Sequence, residues 1–160
     1  MCLLGKPSKA CYLYVPAKNG FGMMNRQLHS HYDITKKDNI LLVDAKRIFD
    51  EDSIEQYHQD MLDLTLEMKH QPWASLICYE GSGVFTPEVE QHIIDITKFR
   101  VKNNMVANAT VLLNTAHADI QQMQLRRIYN SCQLPFFVFS DRDSAEAWLQ
   151  DYLKEQTQVV

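Results

Sequence analysis

The spacing of apolar residues constrains this chain most. Four short apolar runs, "ILLVDA" (40–45), "ASLICY" (74–79), "ANATVLLN" (107–114) and "PFFVFS" (135–140), are each followed by a segment whose apolar residues recur every three to four positions. The runs read as strands, the near-continuous "ILLVDA" as a buried one, and the 3.6-residue period reads as amphipathic helices packed on the sheet. A further strand, "HSHYDIT" (29–35), precedes the first run across the turn signal "KKDN", which predicts an antiparallel hairpin. The order is β-β-α-β-α-β-α-β-α. This predicts an α/β fold with a mixed, mostly parallel central sheet of about five strands and four helices.

The helix boundaries carry their own chemistry. In the first helix, within 50–70, Ile54, Tyr57, Met61, Leu64 and Met68 make the buried stripe. Asp52 or Ser53 is placed to cap it, with Glu55 or Gln56 three residues on to complete a capping box. Thr86 caps the second, within 86–104, and Pro87 suits a first helical position, where its missing N–H is no loss. Val89, Ile93 and Ile96 face its core. The third runs from about Asp119 to Cys132. The fourth, "DRDSAEAWLQDYLKEQ", puts Ala145, Trp148, Leu149 and Tyr152 on one face, with Ser140 or Asp141 as cap.

Residues 1–22 read differently, with two prolines, three glycines and one aromatic burst, "CYLYV". This is turn chemistry, so residues 1–23 are expected to be an irregular extension, with Met23-Met24 as an alternative natural start. One domain is expected over 24–156, with 157–160 as a tail. A formal charge of −4 with scattered basic residues gives no footprint for nucleic acid. Cys2, Cys11, Cys78 and Cys132 form no CxxC pair, so neither a zinc site nor a disulfide framework is indicated. No stretch approaches the ~20 apolar residues of a membrane helix. The expected compartment is the cytoplasm.

The element order, the "PWASLICYE" entry to the central strand, the "TPE" helix start and the closing "VFSDRDSAEAWL" together resemble the SpoIIAA-like branch of the STAS superfamily, relatives of anti-sigma-factor antagonists. In that branch a strand ending in Phe and a small polar residue precedes an Ala-rich helix containing Ala-Trp-Leu. Phe139, Ser140, Ala147, Trp148 and Leu149 hold those positions. The resemblance covers about Ser30 to Leu153. It implies a regulatory or binding module, some of whose relatives are switched by serine phosphorylation or by nucleotide. Anti-sigma antagonists carry Asp-Ser-x-Gly-Leu after the corresponding strand, the serine being the phosphoacceptor. This chain has Glu80-Gly81-Ser82-Gly83-Val84, so Gly81 occupies the acceptor position and Ser82 comes one residue late.

The sites that follow are few. Glu80, Gly81, Ser82, Gly83 and Thr86 form a candidate anion-binding or phospho-loop ahead of the Pro87 helix, where backbone N–H groups and the helix dipole favour an anion. The alternative is a pair of glycines that permit a tight strand-to-helix turn. Tyr57, Met61, Met68, Phe99, Met123 and Tyr129 could line an adaptable apolar pocket, or fill the helix–sheet core. His29 and His31 share a strand face without a third ligand, so no metal site is expected. Asp33, Asp44, Glu80 and Asp141 near strand ends could supply paired carboxylates, although caps and turns account for such residues as well. Cys78, inside an apolar run, reads as a small hydrophobe, with His92 and His117 bearing no spacing relation to it.

Three functions are compatible with these features. The first is a non-catalytic regulatory or protein-interaction module, binding a partner or itself, with a homodimer among the alternatives. The second is a carrier or sensor of a small apolar or lipid ligand held between helices and sheet. The third, an enzyme, finds least support. No cofactor is indicated.

Overall fold

The structure is a computed structural model that describes the backbone of Arg26–Leu28 and residues 31–158. The readings made above for 1–25 and His29 fall outside the described residues. The "KKDN" turn forms with Asp38 in the left-handed region (φ 52°), where Asp is tolerated. It joins β2 (Tyr32–Lys37) to β3 (Ile40–Ala45) as an antiparallel hairpin in which Tyr32 faces Ala45 and Lys37 faces Ile40. Then follow α1 (Glu51–Met68), β4 (Trp73–Glu80), α2 (Pro87–Lys102), β5 (Met105–Leu113), α3 (Ala118–Ser131), β6 (Phe136–Phe139) and α4 (Arg142–Gln158).

The five expected strands are β2 to β6. A three-residue strand, β1 (Arg26–Leu28), pairs antiparallel with β2 and makes the sheet six-stranded, in the order β1-β2-β3-β4-β5-β6. The β3–β4, β4–β5 and β5–β6 pairings are parallel. A parallel pair needs a crossover, and the three crossovers are α1, α2 and α3.

Side-chain alternation divides the core into two layers. Trp73, Ile77 and Tyr79 of β4 face α1, α2 and α3, packing with Ile54, Tyr57 and Met61, with Val89 and Ile93, and with Leu125 and Ile128. Ala74, Leu76 and Cys78 face the other way, onto Ala145, Leu149 and Leu153 of α4. The small residues Ala74, Ala107 and Ala109 let that single helix approach the sheet closely. Buried polar groups on the three-helix side bond to one another: Asn108 Nδ2 donates to Ser75 Oγ (2.6 Å) and Thr110 Oγ1 to Asn108 Oδ1 (2.9 Å).

One helix start differs from expectation, and another is narrowed to one of its two candidates. The cap of α1 is Asp50: its Oδ1 accepts from Ser53 N (2.8 Å), and Ser53 Oγ accepts from Asp50 N (2.9 Å). A shorter box with serine at its third position thus replaces the one expected from Asp52 or Ser53, because Asp50 is the last residue still extended. At α4, Asp141 caps through Ser144 N (2.8 Å), whereas Ser140 lies outside the helix. Thr86 caps α2 with Pro87 at its first position, as the sequence indicates.

Candidate functional site

The loop after β4 is shaped by packing. Gly81 sits at φ 94°, a conformation that side-chain-bearing residues rarely adopt. Gly83 has no such torsion, but a Cβ there would lie 3.0 Å from Ile48 Cβ. The loop is fastened to α3 and its entry. Gln121, 1% exposed, donates Nε2 to both Gly81 O (3.0 Å) and Gly83 O (2.6 Å). Gln124 bonds both ways with the Phe85 backbone, accepting from its N (3.0 Å) and donating to its O (2.9 Å).

The anion-loop residues are therefore brought together but engaged. Ser82 Oγ accepts from Ala116 N (2.7 Å), Gly81 N donates to Leu113 O (2.9 Å), and Glu80 accepts from the Asn114 side chain. Thr86 Oγ1 is occupied by Val89 N (3.3 Å). Ser82 lies five positions before Pro87, so α2 does not begin at its hydroxyl.

On the α4 side of the same strand ends lies a shallow cleft of about 170 Å³, lined by Asp44, Ala45, Lys46, Cys78, Glu80 and Leu113. Asp44 is paired with Arg142 of α4. Burial pushes the Cys78 thiol up, against an opposing pull from Arg142, so it stays protonated and is a poor nucleophile. Asp33 pairs with Lys46 (3.5 Å) and Asp141 is a cap, so neither joins Glu80 as an acid–base pair. His31 Nδ1 accepts from Arg47 Nε (2.8 Å). No group of three His, Cys, Asp or Glu among the described residues could hold a metal ion. His92 and His117 are exposed.

The residues named for an apolar pocket separate. Tyr57, Met61, Met68 and Tyr129 are in the core beneath the three helices. Phe99 is half-buried, edge-on to His58 (5.9 Å), and Met123 is 56% exposed on α3. Met123 therefore cannot line an interior pocket with the others; it lies on the outer side of α3, on a different face from the buried Leu125 and Ile128.

The end of the sheet carries a surface that the sequence reading did not single out. β6 is the last strand of the sheet, and its outer side pairs with nothing among the described residues. All four of its residues are apolar or aromatic. Phe136 turns inward and stacks on Tyr129 (4.7 Å). Phe137 is 59% exposed and touches Phe139 (5.8 Å) and Trp148 (5.6 Å), and Trp148 continues to Tyr152 (5.5 Å). Phe139, Trp148 and Tyr152 are each half-buried. Phe137, Phe139, Trp148 and Tyr152 thus form a continuous aromatic face beside an open sheet edge. Asp151 and Glu155, three residues beyond Trp148 and Tyr152, are exposed along it. The strand order places "PFFVFS" at the edge of the sheet and leaves Phe137 little to pack on.

No protein-family model and no curated protein matches the sequence. Among solved structures, the chain is similar to the crystal structure of an uncharacterised protein of the DUF3478 family with a SpoIIAA-like fold from Shewanella loihica PV-4. The TM-score is 0.55 at 16% identity, covering 74% of this chain and 91% of that one. The likeness shows the fold, and the chain has a SpoIIAA-like fold.

Proposed function

We propose that this SpoIIAA-like chain is a protein-interaction module whose working surface is the edge of β6 and the adjoining face of α4. The observation that supports it is the aromatic face of Phe137, Phe139, Trp148 and Tyr152 beside unpaired strand edge. An exposed all-apolar edge strand is a template for another strand, and proteins ordinarily blunt such edges with charge, proline or a covering element. Here Pro135 and Asp141 stand only at its ends. Exposed aromatic residues of this kind are also those that anchor interfaces.

The partner is an extended segment of another protein that adds to β6, lays apolar side chains against the aromatic face and carries Lys or Arg. The charge comes from α4 and its cap, which hold Asp141, Asp143, Glu146, Asp151 and Glu155 against Arg142 and Lys154. Glu146 is paired with Lys37 and Arg142 with Asp44, so the acids along the aromatic face are Asp151 and Glu155. A second copy would set like charge against like, which disfavours a homodimer.

The test is sedimentation velocity on protein purified gently from its own cells, comparing wild type, Phe137→Ser and Met123→Ser. Phe137→Ser should release a partner that wild type and Met123→Ser retain, and salt should weaken the retained complex. A self-dimer broken by Phe137→Ser would assign the face to a second copy instead. Equal behaviour of all three proteins would contradict the reading.

A further inference from the structure

The core beneath the three helices contains a cation without a counter-ion among the described residues. Arg100, in the last turn of α2, is 4% exposed. Its Cζ lies 4.8 Å from the centre of the Tyr57 ring, and Nη1 donates to the Tyr57 hydroxyl at 3.2 Å. Nε and Nη2 are buried and have no hydrogen-bond partner among the described residues. No described carboxylate pairs with it. The buried acid on α1, Asp60, is already engaged, accepting from Tyr32 (2.6 Å) and Gln56 (2.9 Å).

An unpaired buried charge is among the most expensive features a core can hold, because desolvation is not offset by any opposite charge. One ring contact and one bond to a neutral phenol are weak compensation. The geometry of the unused donors is specific. Nη2 is the terminal nitrogen whose N–H runs parallel to that of Nε, so together they form the edge of guanidinium that meets two oxygens of one carboxylate or phosphate. The donor already used, Nη1, is on the other side. Tyr57 on α1, Tyr79 on β4 and Tyr129 on α3 are buried in the same core cluster, and Tyr57 is the one in contact with the guanidinium. Burial raises the Tyr79 and Tyr129 hydroxyls, while Arg100 pulls both back.

We propose that the open Nε–Nη2 edge of Arg100, beside Tyr57, is an internal site for a small oxyanion of the carboxylate or phosphate class. The anion is held bidentately by the guanidinium and enters by local separation of α2 from its neighbours. Occupancy neutralises the buried charge, so binding and folding are linked and the anion stabilises the three-helix side.

The full chain is melted in anion-poor buffer, then with inorganic phosphate, acetate or chloride at constant ionic strength, as wild type and as Arg100→Met. Wild type should gain about 4 °C at ten times the dissociation constant of the bound oxyanion. Chloride, a single acceptor that the two parallel donors must share, should give less. Arg100→Met, which removes the charge and keeps much of the volume, should lose the response. If that variant fails to fold, the Arg100 Nε–H resonance of wild type supplies the readout and should move on titration with phosphate or acetate. Indifference of wild type to both oxyanions, an equal effect of chloride, or an undiminished response in Arg100→Met would overturn the proposal.

Discussion

Gln121 is the residue on which the strand-to-helix loop depends. It reaches two carbonyls from a fully buried position, so Gln121→Leu leaves Gly81 O and Gly83 O without that donor. A loss of about 1–3 kcal/mol is expected in urea denaturation, with faster amide exchange confined to 81–86. His58 makes a pH-dependent contribution. Burial holds its imidazole below the ordinary value of 6.5, Arg100 lowers it further, and Glu55 opposes them. The unfolded chain therefore takes up this proton before the folded one does, and stability falls as pH drops through about 6.5. The urea midpoint at pH 5.5 should lie below that at pH 7.5, by a smaller margin in His58→Gln. An unchanged difference in that variant would assign the slope to other groups. Little of this was legible in sequence. Arg100 stands between Phe99 and Val101 in a charged helix end and looks like any solvated arginine, because burial of one residue depends on which helices close over it.

At the scale of elements, α4 shows how neighbouring aromatic and aliphatic residues divide their work. Leu149 is fully buried against the sheet, whereas Trp148 beside it is half-exposed. Leu149→Ala should cost about 2–5 kcal/mol in equilibrium unfolding, since the cavity lies in the fully buried contact of α4 with the sheet. Phe137→Ser, at a 59% exposed position, should stay near ~0.5 kcal/mol. A large loss in Phe137→Ser would make the aromatic face part of the core and remove it as a docking surface. The strands and helices themselves were readable because period and caps are local. Thr86-Pro87 marked the start of α2 correctly, while α1 began at Asp50 because several acidic and hydroxyl residues in succession could all serve as cap. The expected face of Ala145, Trp148, Leu149 and Tyr152 divides in burial: Ala145 and Leu149 are buried, whereas Trp148 and Tyr152 are half-buried. Helical period locates a face, but how far the sheet extends beneath that face is set by the length of β6, which is four residues.

For the whole molecule, the sequential strand order leaves β1 and β6 as opposite edges, with three helices on one face and one on the other. A single helix cannot cover one face of six strands: α4 packs on β4, β5 and β6, and Phe137 projects at the outer edge of that contact. No helix among the described residues is long and apolar enough to cross a membrane. The fold was legible as a mixed α/β sheet, because alternating strand and helix patterns admit few topologies. The edge surface was not, since exposure there follows from strand order and from the mismatch between helix number and sheet width. The most direct test of the β6–α4 face is photo-crosslinking in cells from a benzophenone side chain at position 137, with position 123 as control, followed by mapping of the linked peptide. The account predicts crosslinks from 137 well above those from 123, joined to a Lys- or Arg-bearing segment of another protein. Equal yields from both positions would contradict it.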